Sequence, residues 1–216
     1  MPFCEALTKS TKLAVFVVIG TFFHPVYSIV NNIVLGHNAD ETPLAGLGLG
    51  ALTIGITGLS CGICFAFGVG TFMSQEFGRK NFRAIQVNRN RSIFLNTIVF
   101  FILLIPTIFI DSIYKAIGQE EQVATYAAQY VHTVMPFIWL ELINMSFCQF
   151  CISQQVMLVQ VICIASGAVL HGISVGILVF WLEWGFTGIC WSTAMVFVGR
   201  TLGTQIFLRV KADSFT

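Results

Sequence analysis

The sequence predicts an all-α membrane protein with six transmembrane helices, and two observations support this fold class. First, apolar residues make up 56% of the 216 residues and charged residues only 10%, whereas about 25% of the residues in a typical soluble domain are charged. A soluble protein of this size could not hide so much apolar surface from water, so lipid is its expected surroundings. Second, long apolar stretches are separated by short loops whose charge alternates in sign.

The apolar stretches are close to or longer than the roughly 20 residues that a helix needs to cross the hydrocarbon core. They extend over about 13–35, 44–73, 93–110, 123–147, 156–180 and 186–208. We therefore predict a transmembrane lobe over 13–210, between an amino-terminal segment 1–12 and a tail 211–216. A signal peptide is the alternative for the first stretch, but its length and the internal His24 and Pro25 favour a retained helix.

Lysine and arginine are concentrated at alternate ends of the predicted helices. The basic residues at these ends are Lys9, Lys12, Arg79, Lys80, Arg83, Arg89, Arg91, Arg209 and Lys211. Because Lys and Arg in short loops favour the cytoplasmic side, both ends of the chain are expected in the cytoplasm. We expect a multi-pass protein of the plasma or vacuolar membrane, with another organelle membrane as the alternative. The net charge of +1 does not indicate a basic surface for binding nucleic acid, so we expect no nucleic-acid partner.

The seven cysteines include two Cys-x-x-Cys pairs, Cys61 with Cys64 and Cys148 with Cys151. A zinc site would need both pairs at one place, but the predicted helices set them at different depths. We therefore interpret these cysteines as small apolar packing residues. The sequence contains no catalytic triad, phosphate-binding glycine loop or cluster of metal ligands. We accordingly expect neither an enzyme nor a cofactor or metal site.

Two charged residues lie well inside the predicted spans, Glu141 in the fourth and Arg200 in the sixth. The predicted topology places both roughly 9–15 Å from the cytoplasmic surface, at 1.5 Å of rise per helical residue. This matched depth allows an ion pair, which would relieve the cost of an isolated charge in lipid. Two roles remain open: a locking salt bridge, or a Glu141 carboxylate that faces a water-filled cavity and exchanges protons.

Uncharged polar residues also fall inside the spans. His24 and His171 lie near mid-membrane, where each either relays protons or is simply hydrogen-bonded. Pro25 and Pro136 can kink their helices and so help to line a cavity. Three amides offer hydrogen bonds to such a cavity: Asn31, Asn32 and Asn144. The second stretch is rich in glycine, which indicates either close helix packing or a flexible, cavity-lining helix.

Motifs along nearly the whole chain follow a recognisable order. Residues 24–32 read HPVYSIVNN and lead into a Leu-Gly-His turn, and residues 67–78 read FGVGTFMSQEFG. These runs resemble the Gln-Pro-Leu-Tyr-x-Ile-Val-Asp and Gly-x-x-Thr-x-x-Ser-Gln-x-x-Gly motifs of the multidrug and toxic compound extrusion (MATE) family. The positions that match the family's amino-terminal lobe are Pro25, Gly36, Thr71, Ser74, Gln75, Gly78, Arg91, Gly118, Gln119, Tyr130, Pro136 and Gly188.

The resemblance implies that the chain folds as one six-helix lobe of a MATE-like transporter. The family's transporters have two such lobes, which enclose a central cavity. Such transporters exchange protons or sodium ions for bulky, often cationic drugs. This chain departs from the pattern at Phe16, Asn31, Val156, Gln160 and His171, where many members carry proline, aspartate, glycine, proline and asparagine. Because Asn31 cannot exchange a proton and is a weak ligand for Na⁺, another residue would have to couple transport to an ion.

We therefore expect an antiporter that exports xenobiotic or organic cations, as a half-transporter that pairs with a second copy or a separate second lobe. The candidate substrate- or ion-binding residues are His24, Asn31, Glu141, His171 and Arg200. Trp139 and the many phenylalanines would either contact a flat cation or face lipid. The alternatives are a non-transporting membrane subunit or truncated fragment within a larger complex, and a lipid-linked sugar flippase of the wider superfamily.

Overall fold

The computed structural model describes residues 25–38 and 41–211, together with 11, 14, 15 and 18. His24, Phe16 and most of segment 1–12 lie outside these residues. The described elements are α1 (Val26–Asn38), α2 (Glu41–Thr53), the π-helical turn π1 (Ile54–Leu59), α3 (Ser60–Gly78), α4 (Phe82–Ile108), α5 (Ile110–Ala116), α6 (Glu121–Ser153), α7 (Leu158–Val175), the π-helical turn π2 (Gly176–Trp181) and α8 (Gly185–Val210).

The described helices have the length and surface of membrane-spanning segments. Four continuous runs are long and apolar enough to cross a membrane, namely Glu41–Gly78, Phe82–Ile108, Glu121–Ser153 and Leu158–Trp181. α8 has 26 residues, enough to span, and α1 is the described part of the first stretch. Large apolar side chains cover the outside, among them Phe94 at 66% and Ile105 at 62% exposure. The chain is therefore an all-α integral membrane protein.

α6 is the central helix of the bundle, because it packs against α2, α3, α4 and α8. Its side chains at Val131, Val134, Ile138 and Leu142 have no measurable exposure and form the middle of the main apolar core. α7 packs along α8, and α1 lies against α2, α7 and α8. The polar residues of α6 and α8 are therefore brought face to face inside the bundle.

A second, smaller core closes the end of the bundle at which α3 and α6 finish and α4 and α7 begin. It is formed by Met73, Ile85, Phe150, Cys151, Val159 and Phe207. The guanidinium of Arg89 stacks over the rings of Phe147 and Phe150, at 5.5 and 4.9 Å from their centroids. Arg89 is thus held in place by the packing of α4 against α6.

The glycines of α2, π1 and α3 that face α6 allow the two helices to approach closely. A Cβ added at Gly50 would lie 2.8 Å from Tyr130 Cδ1, and one added at Gly58 would lie 3.0 Å from Ile138 Cγ2. Gly46, Gly62 and Gly70 meet α6 in the same way, whereas Gly48, Gly55 and Gly68 have open space. Close packing therefore explains one face of this helix, and Gly48 borders a cavity.

α4 begins at Phe82 rather than near Ile93, where the apolar stretch begins. The Asn81 side chain caps the helix by accepting a hydrogen bond from the Ala84 N–H at 3.3 Å. Asn81 Nδ2 also donates to Glu76 Oε2 at 2.9 Å, which ties the cap to the end of α3. Hydropathy alone could not locate this start, because the first turns of α4 lie in the polar interface and carry arginines.

We expect Asn81→Ala to lower the free energy of unfolding by about 1 kcal/mol, because it removes the helix cap. The change is measured as the unfolding free energy of the purified protein in detergent. Gln86→Ala, at an exposed position on the same helix, is the control and should change stability little. Equal effects of the two substitutions would contradict the capping role.

Candidate functional site

Three buried polar side chains from α1, α7 and α8 form a hydrogen-bond network, with Asn31 in the middle. Asn31 Nδ2 donates to Thr193 Oγ1 at 2.8 Å, and His171 Nε2 lies 3.0 Å from Asn31 Oδ1. Because an amide oxygen can only accept, Nε2 of His171 carries a hydrogen. The side chains of Asn31, His171 and Thr193 are all at most 2% exposed. The network therefore joins the three helices through neutral hydrogen bonds.

A cavity of about 320 Å³ opens beside this network. α1 contributes polar groups to its wall, and the opposite side is made by α2, π1, α6 and α8. The lining residues on α1 are Tyr27, Ser28, Asn31 and Asn32. Tyr130 and Phe197 add aromatic faces. The volume falls at the lower end of the range for sites that hold small molecules.

The ion pair that the matched depths allow is present in the structure. Arg200 Nη1 lies 2.9 Å from Glu141 Oε1, with the two side chains 5% and 4% exposed. Within the described residues, Glu141 Oε2 and Arg200 Nε have no hydrogen-bond partner. The pair thus uses only part of its hydrogen-bonding capacity, which is unusual for buried charges.

The ion pair lies between two cavities. On one side, the guanidinium of Arg200 sits over the rings of Tyr27 and Phe197, at 5.7 and 6.0 Å from their centroids. Both rings line the larger cavity. On the other side, Glu141 and Arg200 themselves line a smaller cavity of about 180 Å³. A change in the charge of this pair would therefore change the electrostatic potential in both cavities.

The smaller cavity combines apolar walls with a few polar groups. Its apolar lining comes mainly from α3 and α6, including Ile63, Phe67 and Met145. Its polar lining consists of Glu141, Asn144, Cys148, Gln149, Gln160, Cys163 and Arg200. Gln160, one of the positions that departs from the MATE pattern, therefore faces the same space as the ion pair.

Most of the motif positions shape turns and helix contacts. The hydroxyls of Thr71 and Ser74 donate back to carbonyls of their own helix, at 3.1 and 2.9 Å. Gly118 has φ +86° where α5 ends, a conformation that favours glycine. A Cβ at Gly188 would lie 3.0 Å from the Leu178 carbonyl oxygen. Of the motif residues, Tyr130 lines the larger cavity.

The remaining predicted residues fall in several places. Pro136 lies inside α6, Gly36 inside α1, Gly78 at the end of α3, and Arg91 on α4. Gln75 accepts, through its carbonyl, the N–H of Arg79 at 3.1 Å, and Gln119 donates its N–H to the Tyr114 carbonyl at 3.1 Å. Trp139 is 38% exposed, and its indole N–H donates to Thr97 Oγ1 at 3.3 Å. Among the described residues, no group of three or more His, Cys, Asp or Glu is arranged to hold a metal ion.

Sequence reasoning missed Tyr27, Thr193 and Phe197 as site residues. Thr193 and Phe197 precede Arg200 on α8 at spacings that put all three on one helical face. That spacing is a signal that could have found them. Tyr27 carried no such signal, because its contact with Arg200 joins two helices that are distant in sequence.

Comparison with known families agrees with this architecture. The family model described as MatE matches residues 17–178. Multidrug and toxin extrusion protein 1 of Danio rerio is 29% identical over 182 residues, covering 84% of this chain and 31% of the relative. Protein DETOXIFICATION 1 of Arabidopsis thaliana is 23% identical over 198 residues, covering 91% of this chain and 41% of the relative. The chain therefore spans less than half the length of these relatives.

A solved structure shows the same fold. The crystal structure of the eukaryotic MATE transporter AtDTX14 matches with a TM-score of 0.82 at 19% identity, covering 94% of this chain and 46% of that one. The likeness confirms the predicted fold class, six transmembrane helices that form one lobe. The family match extends over most of the chain and includes both Asn31 and Glu141. This protein therefore belongs to the MatE family.

Proposed function

We propose that this chain forms one lobe of an antiporter that exports xenobiotic or organic cations in exchange for protons or sodium ions. The observation that carries the proposal is the buried Glu141–Arg200 pair between two cavities. The relatives named for multidrug extrusion and detoxification support the substrate class. Ionisable groups inside the membrane commonly mark ion or substrate pathways, which supports the coupling role.

In this proposal Glu141 is the proton-coupling residue. Protonation of Glu141 removes the negative charge that balances Arg200, and the guanidinium then leaves a net positive charge beside Tyr27 and Phe197. Because these rings line the larger cavity, a cation bound there would be repelled. Loss of the proton would restore the pair and allow the next cation to bind. Proton binding and cation binding thus exclude each other, as antiport requires.

The larger cavity provides the groups that would recognise an organic cation. Tyr27, Tyr130 and Phe197 offer aromatic faces for cation–π contact, and the amides of Asn31 and Asn32 offer oxygen acceptors. His171 and Thr193 hold Asn31 in place from behind. His24 is the further candidate on the first helix. The full binding space would form between this lobe and a second one.

The second lobe would be another copy of this chain or a separate chain. Alternating access would then follow from rocking of the two bundles about the cavity between them. We place the transmembrane lobe at 13–210, with segments 1–12 and 211–216 in the cytoplasm. The arginines on the turn before α4 and on its first turns support this orientation, since basic residues favour the cytoplasmic side. A plasma or vacuolar membrane is the proposed location.

A non-transporting membrane subunit is the second candidate. It is favoured by the neutral Asn31–His171–Thr193 network, which already satisfies the amide of Asn31 from both ends. In that case the ion pair would only lock α6 to α8. A lipid-linked sugar flippase is a weaker alternative, because a sugar phosphate would favour several basic residues and Arg200 is the basic residue of the described cavities.

Transport by reconstituted protein tests the proposal. We expect liposomes that contain this chain, alone or with a second-lobe chain, to move a fluorescent organic cation when a pH gradient is imposed. Glu141→Gln should reduce the initial rate at least about 10-fold, in line with loss of a group that transfers protons. Glu121→Gln, at an exposed carboxylate near Lys115, is the matched control and should transport normally.

The other outcomes separate the alternatives. Transport by Glu141→Gln at the normal rate would contradict proton coupling through this carboxylate, and dependence on a sodium gradient would assign the ion. No transport in any combination, with the protein monomeric in detergent, would favour the non-transporting subunit. Movement of a fluorescent lipid-linked sugar, and not of the cation, would favour the flippase.

A further inference from the structure

We propose that Cys148 and Cys163 form a binding site for a soft monovalent metal cation, Cu(I) or Ag(I), at the smaller cavity. Cys148 lies on α6 and Cys163 on α7, so the two thiols come from different helices. Both sulfur atoms contact the side chain of Asn144, which brings the two thiols close together. Both are free thiols and both line the cavity. Binding of the metal requires no transport activity, although Arg200 belongs both to this cavity and to the Glu141–Arg200 pair.

One amide side chain holds both sulfur atoms. Asn144 Nδ2 donates to Cys163 Sγ at 3.1 Å, and Cys148 Sγ donates to Asn144 Oδ1 at 3.9 Å. Asn144 is only 2% exposed, so its position is fixed by the surrounding helices. Thr204 Oγ1 lies 3.9 Å from Cys148 Sγ and adds a further polar contact. Such supporting groups orient thiol ligands toward a shared metal ion.

The chemistry of this cavity selects a soft cation. Thiolates prefer Cu(I) and related soft metals, whereas hard cations such as Mg²⁺ require oxygen ligands and retain water. The apolar walls of Ile63, Phe67 and Ile164 disfavour a hydrated ion. Two sulfur ligands can complete the coordination of a metal ion that has a low coordination number. Among the described residues, no group of three or more His, Cys, Asp or Glu could hold a metal ion, so a two-sulfur site fits a monovalent soft metal better than zinc, which takes four ligands in structural sites.

Arg200 can stabilise the charge that metal binding leaves in the cavity. Binding of one Cu(I) by two thiols forms two Cu–S bonds, breaks two S–H bonds and releases two protons, which leaves a centre of charge −1. Arg200 lines the same cavity, and its Nε has no hydrogen-bond partner among the described residues. This N–H can donate toward the new negative charge, which stabilises it. No oxidant or reductant is required, since the metal and both sulfurs keep their oxidation states.

The other cysteines of the described chain do not form an equivalent pair. Cys61 and Cys64 lie one turn apart on α3, and Cys64 is exposed on the outside of the helix. Cys151 belongs to the apolar core at the basic end, and Cys190 lies in the main core. The hydrogen bonds of the described residues give none of these four cysteines an amide partner shared with a second cysteine. The assignment therefore rests on Cys148 and Cys163 alone.

The test is a competition titration of the purified full chain in detergent under anaerobic conditions. Cu(I) is added with the chromophoric chelator bicinchoninate, and the metal taken from the chelator is measured. We expect one Cu(I) per chain, with Cys148→Ser or Cys163→Ser each lowering the affinity by more than about 100-fold, since loss of an orienting neighbour alone costs 10–100-fold. X-ray absorption should report two sulfur ligands. Asn144→Ala should lower the affinity less than either cysteine substitution.

Two controls make the result decisive. Cys61→Ser with Cys64→Ser, and Cys190→Ser, should bind Cu(I) as the wild type does. Unfolding midpoints in detergent confirm that the serine variants remain folded, because serine is close in size to cysteine. Undiminished binding by Cys148→Ser or Cys163→Ser would overturn the proposal. So would loss of binding in the Cys61/Cys64 variant, or a bound metal with only nitrogen and oxygen ligands.

Discussion

Glu141→Gln is expected to lower the free energy of unfolding by about 3–5 kcal/mol, because it leaves the guanidinium of Arg200 buried without a counter-ion. The pair is nearly inaccessible, with Arg200 Nη1 and Glu141 Oε1 only 2.9 Å apart. Glutamine keeps the shape and one acceptor oxygen of the side chain, so the loss of stability measures the effect of removing the negative charge. The measurement is a denaturation titration of the purified protein in mixed micelles.

A double variant separates the charge from the packing. Replacement of both partners, Glu141→Leu with Arg200→Met, removes the charges together and should recover most of the lost stability, because apolar side chains can replace a buried ion pair. The coupling energy of the pair is the difference between this double variant and the sum of its two single variants, Glu141→Leu and Arg200→Met. Loss of less than about 1 kcal/mol in Glu141→Gln would be typical of an exposed pair and would contradict the buried arrangement.

Gly46→Ala is expected to destabilise the protein by about 1–3 kcal/mol, because the added methyl group overpacks the contact between α2 and α6. Its Cβ would lie 2.5 Å from Tyr126 Cβ and 3.2 Å from the backbone nitrogen of Ala127. The clash meets atoms at or near the backbone of α6, which cannot move aside as the end of a flexible side chain can. Unfolding in detergent measures the loss.

Gly48→Ala is the matched control for Gly46→Ala. Both glycines lie on α2, but a Cβ at Gly48 meets nothing within 4 Å. We expect this substitution to be neutral or to stabilise by up to about 1 kcal/mol, since alanine has the higher helix propensity. Equal destabilisation by the two substitutions would indicate that glycine acts through backbone flexibility and not through close packing.

The fold class could be predicted because the hydrocarbon core of a membrane places strong physical constraints on the chain that crosses it. Hydrocarbon requires long apolar helices, and charges inside it are rare enough to be noticed singly. Glu141 and Arg200 were therefore identified, and their matched depth followed from helix rise alone. The start of α4 was not predicted, because arginines at the membrane interface look like a loop on a hydropathy scale. The π-helical turns also left no signal in the residue pattern.

The candidate site was only partly predictable for a related reason. A transmembrane helix is apolar on nearly all sides, so its residue pattern does not show which face points into the bundle. The residue pattern therefore could not show that Tyr27 lies against Arg200, or that Cys148 and Cys163 share Asn144. These contacts join different helices, and their geometry depends on how each helix is rotated.

The sequence by itself determined the all-α membrane fold and identified the two charged residues that lie buried inside it, Glu141 and Arg200. It could do so because composition, length and charge act along the chain and need no knowledge of neighbours. Tertiary structure alone decided which polar groups meet, as in the Asn31–His171–Thr193 network, and where the cavities lie. Those features depend on the distance and rotation between packed helices, which are set by side-chain contacts among residues far apart in the chain.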